Sequence, residues 1–214
     1  VGTRSESIDE EVANKIFQSG CRNISYAPES GDPATLSIIK KKVVLPNLVS
    51  SLRQVLRTNM NVKCNIVVGF PTDTRRSLLR TMFFCWRLAV IGVHDLGVFM
   101  FSPYPGSEIF RDLVSEGRIP TPLDDRYFSS LVNHSDPTST RAYCKAVSGG
   151  ELAAWRISIM ATFFLISFGL RPIRVIKFFR NTFKQAGTSV LEQRVGEILH
   201  KRLRTLLSSV RIQD

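Results

Sequence analysis

The sequence predicts an α/β fold with parallel strands, and three observations support this prediction. β-Branched apolar runs alternate with helical patterns at intervals of roughly 30 residues, which is typical of strand–helix units joined by crossover connections. Three apolar runs stop at Gly or Pro, at 27–31, 69–71 and 103–106, and polar residues accompany each stop. Because parallel strands place their carboxyl ends at one edge of a sheet, we expect one ligand site built from these loops.

Hydrophobic periodicity places the elements in order along the chain. The first four residues fit the end of a strand. A helix is predicted over 9–19, because apolar residues recur at every fourth position and Gly20 follows as a stop. The run 62–68 is a β-branched strand that stops at Gly69. The other elements predicted in this half are strands over 22–27 and 93–101 and helices over 35–40, 46–58, 74–90 and 107–116.

The pattern changes after Ile119. The stretch 120–139 is rich in Pro, Asp and Ser and predicts a loop or linker, within a linker region drawn at 119–150. A helix follows over 151–170, and its last fourteen residues carry no charge. Because a membrane span needs about 20 apolar residues, this stretch favours a buried or interfacial helix.

The last part of the chain is strongly basic. Net charge is +11, and residues 171–214 contribute +7 of it, with ten Lys/Arg against three Asp/Glu. Apolar and basic residues interleave over 173–184, as in helices that lie in a membrane interface, and a further amphipathic helix is predicted over 191–207. The sequence thus predicts a basic amphipathic extension over 151–214, with an anionic membrane surface as partner through 151–184. A core-packed helix or a solvated basic face explains the same pattern, and nucleic acid is the less favoured partner.

Four cysteines and three histidines form no recognised metal or catalytic motif. The cysteines are too far apart in sequence for a zinc site or a dense disulfide framework, which predicts reduced thiols and a cytoplasmic location, with contact to the inner face of the membrane if the tail binds lipid. The HExxH, P-loop, GxGxxG and GxSxG motifs are absent. His94 and Asp95 lie near the start of a strand and are expected to be structural. The chain does not begin with Met and is interpreted as a fragment.

The candidate ligand-binding residues lie at the three strand ends. Glu29 follows an apolar strand, where its carboxylate can accept hydrogen bonds from ligand hydroxyl or ammonium groups and Ser30 can add a hydroxyl contact. The alternatives for Glu29 are an ion pair with a neighbouring Lys or Arg, or a helix cap. In Gly69-Phe70-Pro71 the glycine allows close backbone approach to a ligand. Ser102 opens a loop stiffened by two prolines, where Tyr104 can stack on a ring.

Taken in order, these loops resemble the second half of a radical S-adenosylmethionine (SAM) domain. The resemblance covers about residues 1–118 and is closest to the cobalamin-binding branch, which includes anaerobic magnesium-protoporphyrin cyclase and several methyltransferases. The matching pieces are Thr3-Arg4, Gly20-Cys21-Arg22-Asn23-Ile24, Glu29-Ser30-Gly31, Leu36 with Ile39-Lys40-Lys41, Gly69-Phe70-Pro71, and Phe101-Ser102-Pro103-Tyr104-Pro105-Gly106-Ser107. The resemblance implies the carboxyl-terminal part of a partial (β/α)6 TIM-like barrel, followed by an α-helical extension.

The resemblance also implies cofactors. SAM would be held by Glu29 and Ser30, with its adenine beside Gly69, Phe70 and Pro71, and Ser102 completes the candidate cofactor-binding set. The family carries a [4Fe-4S] cluster on a Cys-xxx-Cys-xx-Cys motif that this chain lacks, so the cluster ligands are expected upstream. The loop also departs from the family's Gly-Glu-Thr, since Thr72-Asp73-Thr74 stands there.

The implied activity is reductive cleavage of SAM to a 5′-deoxyadenosyl radical, or methyl transfer that uses cobalamin. This chain alone is expected to be inactive, and its substrate is expected to be a small molecule, with a lipid or tetrapyrrole suggested by the apolar tail. Three alternatives stay open: an aldolase-like barrel, a non-enzymatic peripheral membrane module, and a degenerate barrel with a structural role. The aldolase-like barrel would require a Lys at a strand end or a pair of acids.

Overall fold

A computed structural model describes residues 7–132 and 142–183. The strand end predicted at 1–4 and the helix predicted over 191–207 lie outside the described residues. The elements in chain order are α1 (Glu10–Gln18), β1 (Asn23–Glu29), α2 (Pro33–Ile38), α3 (Leu45–Leu56), β2 (Asn61–Val68), α4 (Arg75–Ile91), β3 (Asp95–Met100), α5 (Glu108–Ser115), α6 (Asp125–Val132), α7 (Gly149–Leu170) and α8 (Ile173–Phe183).

The predicted alternation of strands and helices is confirmed in the described part, with element ends displaced by one or two residues. The exception is α6, which lies in the stretch interpreted as a loop or linker. Asp124 starts this helix by accepting a hydrogen bond from the amide of Tyr127 at 2.8 Å. Tyr127 then buries its ring in a small second cluster with Leu113 and Ile119, so tertiary packing stabilises a helix in a polar, Pro-rich segment.

The three strands form one parallel sheet in the order β1-β2-β3. Residues alternate across it: Tyr26, Cys64 and Ile66 are buried against the helices. The intervening residues of β1 and β2, such as Lys63, are half-buried or exposed on the opposite face. This arrangement is an α/β fold consistent with part of a barrel, as predicted, because one face of each strand meets helices and the other turns inward in a barrel.

Helix α4 begins and ends where its sequence provides caps. The Thr74 hydroxyl accepts a hydrogen bond from the Ser77 amide, and the Ser77 hydroxyl accepts one from the Thr74 amide, which forms a capping box at the start of the helix. Gly92 ends the helix in the left-handed conformation, with φ of 110°. The strand ends and this helix start therefore lie together at the carboxyl edge of the sheet.

Helix α7 packs against both α4 and β3. It runs parallel to α4, because Arg75 pairs with Glu151 at the two helix starts and Trp86 donates a hydrogen bond to Thr162 further along, at 2.8 Å. Leu152, Ile159 and Phe163 enter the main core. Arg156 also donates a hydrogen bond from Nε to the Val98 carbonyl on the outer edge of β3, at 2.7 Å. The helix therefore covers both the face and the free edge of the last strand.

The same helix, Gly149–Leu170, is the one helix in the described ranges that is long and apolar enough to cross a membrane by length and composition. This criterion is weak for a single helix, because core helices of folded domains also satisfy it. One face of α7 is packed in the core with β3 and α4, as expected for a buried helix.

Candidate functional site

A cavity of about 600 Å³ lies beside the loop after β2. Its walls come from that loop, from the end of α2, from α5 with its cap Ser107, and from Lys145 and Ala146. Of the predicted site residues, Phe70 and Pro71 line this cavity, whereas the other four lie outside its lining. Its further lining residues include Ile38, Lys40, Asp73, Glu108, Leu113 and Lys145.

Glu29 is the last residue of β1 and has a backbone conformation that is uncommon outside glycine, with φ of 65°. The register between β1 and β2 shifts between Tyr26 and Glu29, so an irregularity re-aims the strand end. The Oε1 atom of Glu29 accepts a hydrogen bond from Lys41 Nζ at 3.0 Å, and both side chains are partly exposed. The ion pair considered for Glu29 from sequence is therefore present, and the strained backbone marks this strand end as a site candidate.

Ser30 turns its hydroxyl inward and is only 2% exposed. Its Oγ lies 3.1 Å from the Thr81 hydroxyl on α4 and accepts a hydrogen bond from the Asp32 amide at 3.1 Å. The amide of Gly31 donates to the same threonine oxygen at 3.1 Å. Ser30 thus fastens the loop after β1 to α4, and its role as a cofactor contact stays a prediction.

The loop after β2 is organised by Asp73, a residue that the sequence marked only as a departure from a family motif. Its Oδ2 accepts hydrogen bonds from the amides of Gly69 and Phe70 at 2.9 and 3.0 Å. Its Oδ1 accepts from Ser77 and Thr35 hydroxyls at 3.1 and 3.3 Å. Burial raises the pKa of the Asp73 carboxyl above its ordinary value, in spite of these hydrogen bonds. The signal in the sequence was an acid four residues after the strand-ending glycine.

Gly69 has φ of 91°, so its backbone adopts the left-handed region that favours glycine. A Cβ at this position would lie 3.1 Å from Leu152 Cδ1, because the start of α7 approaches the loop closely. The turn and the packing of α7 therefore both require the glycine that the sequence singled out, in addition to any ligand.

Aromatic rings connect the second and third strand ends. The rings of Phe70 and Phe101 lie 4.9 Å apart between centroids, and Phe101 meets Tyr143 edge-on at 6.3 Å. Ser102 is half-buried directly after Phe101. The next residue is fixed, because Pro103 is buried and its carbonyl accepts a hydrogen bond from the Tyr127 hydroxyl. Ser102 thus sits on a rigid strand end.

Two ion pairs hold α5 over the cavity. Lys40 Nζ lies 2.5 Å from Glu108 Oε2 at the start of α5, and Lys145 Nζ lies 2.9 Å from Glu116 Oε1 just after its end. Hydrogen bonds from these lysines lower the pKa of the Glu108 and Glu116 carboxyls below their ordinary values. All four residues line the cavity, so its mouth carries paired charges around an apolar interior that includes Ile38, Phe70, Ile109 and Leu113.

The cysteines do not form a metal centre. All four are free, and the described ranges contain no group of three or more His, Cys, Asp or Glu residues arranged to hold a metal ion. Cys64 and Cys85 are fully buried, and burial raises the pKa of both thiols above the ordinary value, which disfavours the thiolates that iron requires. The described residues therefore do not fit an iron–sulfur cluster.

His94 and Asp95, the other polar residues singled out from the sequence, form hydrogen bonds within the sheet. His94 Nδ1 accepts a hydrogen bond from the Val62 amide at 3.1 Å, and Asp95 is buried and accepts from the Leu96 amide at 3.0 Å. Both lie at the amino ends of the strands, away from the cavity. This placement agrees with the structural role predicted for them.

The chain is similar to enzymes that transfer methyl or methylthio groups, and no family model matches it. An uncharacterized methyltransferase of Pyrococcus horikoshii is 23% identical over 176 residues, which is 82% of this chain and 35% of that protein. A threonylcarbamoyladenosine tRNA methylthiotransferase of Treponema pallidum is 32% identical over 106 residues, 50% of this chain and 20% of that protein. The corresponding methylthiotransferase of Thermotoga maritima is 26% identical over 161 residues, 71% of this chain and 35% of that protein.

The chain spans about a third or less of the length of these relatives. The similarity is to one methyltransferase and two methylthiotransferases at low identity, and the chain itself has an α/β fold with a parallel sheet.

Proposed function

We propose that this chain is the carboxyl-terminal part of the core of a radical SAM enzyme and that its strand-end loops bind SAM for methyl or methylthio transfer. The proposal rests on the ordered loop motifs of the sequence, on relatives named for methyl and methylthio transfer, and on the convergence of those loops at one edge. The activity of the whole protein is part of this proposal.

The observation that carries the proposal is the conformation of Glu29. Backbone strain of this kind costs about 1–3 kcal/mol and persists where the surrounding structure imposes it, typically at ligand sites. Lys41 is hydrogen-bonded to Oε1, and the second carboxylate oxygen is the group we assign to the ammonium or ribose hydroxyls of SAM. Lys41 then holds the carboxylate in one orientation.

The loop after β2 would receive the adenine. The amides of Gly69 and Phe70 are already used by Asp73, and the carbonyls of Phe70 and Pro71 accept hydrogen bonds from the amides of Asp73 and Lys145, so the loop offers a ring the apolar surface of Pro71. Because Asp73 fixes these backbone groups before a ligand arrives, binding requires little ordering of the loop. Ser102, on the third strand end, adds a hydroxyl to the same edge.

SAM bound at this edge would supply an activated methyl group or, with a reduced iron–sulfur cluster, a 5′-deoxyadenosyl radical. The cluster ligands would have to come from outside the described residues, and a cobalamin, if used, from a further part of the protein. The residues of this chain would bind and orient SAM at the strand ends. Accordingly, we expect the chain alone to bind SAM without turning it over.

Titration of SAM into the full chain, followed by calorimetry, tests the proposal. Replacement Glu29→Gln keeps the shape of the side chain and removes its charge, and we expect it to weaken SAM binding about tenfold, the loss typical of one charge-assisted hydrogen bond. Glu10→Gln, on the exposed start of α1, is the matched control and should bind as the unsubstituted chain does. Equal affinity of the Glu29→Gln variant and the control, with both folded by circular dichroism, would overturn the assignment.

The substrate class is a separate part of the proposal. Two relatives carry tRNA in their names, whereas the sequence of this chain favours a small molecule, a lipid or a tetrapyrrole. The cavity has paired charges at its mouth and an apolar interior, which suits a molecule with an apolar ring system and polar substituents. We expect a fluorescent porphyrin to bind with micromolar affinity and unmodified tRNA to leave that signal unchanged.

A further inference from the structure

We propose that the surface where α7 turns into α8, beside the end of α4, docks on an anionic lipid bilayer. This surface is called the apolar corner and consists of Val90, Leu165, Leu170, Ile173 and Ile176. The inference is independent of the proposed function, because none of these residues lies in the cavity or at the strand ends that form the candidate site.

The residues of the apolar corner are unusually exposed for large aliphatic side chains. Their exposed fractions are 55% for Val90, 73% for Leu165, 56% for Leu170, 68% for Ile173 and 70% for Ile176. The outward face of a helix in a barrel normally carries polar side chains. On α7 the exposed residues Ile157, Ala161 and Leu165 continue the uncharged surface, so the outer face of this helix resembles a core face that nothing described covers.

Hydrogen bonds hold the apolar corner together as one rigid unit. Arg171 donates to the carbonyls of Ala89 and Val90 at 3.0 and 2.9 Å. Arg174 donates to the carbonyls of Gly92 and Val93 at 2.7 and 2.9 Å. The two guanidinium groups thus pair with carbonyls at the end of α4 and in the two residues that follow it, where the helix dipole favours positive charge. The turn between α7 and α8 is therefore fixed against α4, and its aliphatic side chains are already presented outward.

Charge decides among the possible occupants of this surface. Together α4, α7 and α8 contain eight Lys or Arg and a single acid, Glu151, which is paired with Arg75. Arg87 and Arg180 are exposed on α4 and α8. A second copy docked through the same surface would bring like charges together, whereas lipid phosphates and carboxylates complement them. Aliphatic side chains next to exposed arginines are the combination that binds an interfacial bilayer surface.

Arg174 keeps its positive charge in the folded chain. Burial lowers its pKa to about 10, which still leaves it protonated at neutral pH. It therefore contributes to the positive field at the apolar corner although its hydrogen bonds are satisfied within the protein. Residues 171–214 add a net +7 in sequence to the same end of the chain.

Docking through the apolar corner has a definite geometric result. The corner lies at the amino edge of the sheet, beside Gly92 and Val93, whereas the cavity lies at the carboxyl edge. The 17 residues of α4 run between the two, a length of about 25 Å. A bilayer bound at the corner would leave the cavity open to the aqueous side.

Flotation of the full chain with lipid vesicles tests this proposal. We expect the chain to float with vesicles of phosphatidylcholine and phosphatidylserine at low salt, and about fivefold or more weakly with phosphatidylcholine alone, since each cation near an anionic surface contributes about that factor. Arg87→Gln combined with Arg180→Gln should reduce binding to the anionic vesicles by about tenfold or more without unfolding the chain. Equal binding to both vesicle types, or none to either, would overturn the proposal.

The apolar part is tested with a matched pair of variants. Leu165→Gln with Ile176→Gln removes two exposed aliphatic side chains from the corner and should lower vesicle binding about tenfold or more. Val12→Gln with Val44→Gln removes two exposed valines elsewhere and should bind as the unsubstituted chain does. All four sites are exposed, and thermal melting checks that both variants fold. Unchanged binding of the corner variant overturns the proposal, as would a dimer in sedimentation that the corner substitutions dissociate.

Discussion

The Oδ2 atom of Asp73 lies 2.9 Å from the amide nitrogen of Gly69 and accepts its hydrogen bond. This bond closes the loop after β2 and holds the left-handed turn at the glycine. The Cys144 thiol also donates to the Asp73 carbonyl at 2.8 Å, so the segment before α7 is fastened to the same loop. A single residue, through its carboxylate and its backbone carbonyl, thus joins the end of β2, the start of α4 and the segment before α7.

Removal of the Asp73 carboxylate should destabilise the chain strongly. In Asp73→Ala the buried amides of Gly69 and Phe70 lose their acceptor, and we expect a loss of about 2–4 kcal/mol in the free energy of unfolding. Asp73→Asn retains one acceptor oxygen, and its amide group can donate to the hydroxyls of Ser77 and Thr35, so the expected loss is about 1 kcal/mol. Urea unfolding measures both, and equal losses in the two variants would contradict the assigned role.

The Asp73 carboxyl should also give a pH-dependent contribution to stability. Burial raises its pKa in the folded chain, so the native state retains the proton to a higher pH than the unfolded state does. Stability from this group is therefore highest below the ordinary pKa of about 3.9 and falls as pH rises through the raised native value. The difference in urea midpoint between Asp73→Asn and the unsubstituted chain should shift in favour of the variant as pH increases. A difference that is constant across the acidic range would show that the pKa is not raised.

Gly31 should tolerate no side chain, because α4 passes directly over it. A Cβ there would lie 2.4 Å from Phe84 Cβ and 2.8 Å from the Thr81 Cα atom. We expect Gly31→Ala to cost about 2–3 kcal/mol, because the β1 loop and α4 must move apart. Gly150→Ala, in the first turn of α7 with open space around it, is the matched control and should change stability by about 0.5 kcal/mol or less, or raise it. Similar melting temperatures for the two variants would contradict the close contact.

The four thiols should differ sharply in reactivity. Cys21 is half-buried, whereas Cys64, Cys85 and Cys144 are buried. Burial raises the pKa of the Cys64 and Cys85 thiols, which lowers the fraction of reactive thiolate further. Labelling with a thiol-reactive dye in native buffer should therefore modify Cys21 alone, and urea should expose the other three. Cys21→Ser is the control that removes the fast phase, and a fast phase that survives it would show that another thiol is accessible.

The elements that could be predicted from the sequence are those that local sequence signals specify. The strand 62–68 and the helix 74–90 were predicted within one residue of their observed limits, because β-branched alternation, the Thr74 cap and the Gly92 stop are local signals. Helix α6 was missed, since its stability comes from Tyr127 packing on a distant cluster. The position of α7 beside β3 could not be predicted from the sequence either, because it depends on contacts between residues some fifty positions apart.

The candidate site was predictable as a place but only partly as a set of contacts. The strand-ending Gly-Phe-Pro predicted a ligand site, and Phe70 and Pro71 line the cavity, whereas the other predicted site residues do not. The inward rotation of Ser30 toward Thr81 and the bonding of Asp73 to two amides depend on side-chain geometry that spacing does not encode. The ion pair of Glu29 was one of two alternatives, and choosing between them required the position of Lys41.

The cover that α7 provides for β3 has a consequence for synthesis of the chain on the ribosome. β3 leaves the ribosome some fifty residues before α7 does. The face of β3 that carries Val98 and Met100 therefore stays uncovered while the intervening segment is synthesised. The outer edge of β3 also stays open, because Arg156, which donates a hydrogen bond to the Val98 carbonyl, has not yet been synthesised. A nascent chain that stalls in this interval would expose an open sheet edge and an apolar face together. We expect a chaperone that binds extended apolar segments to bind such a chain.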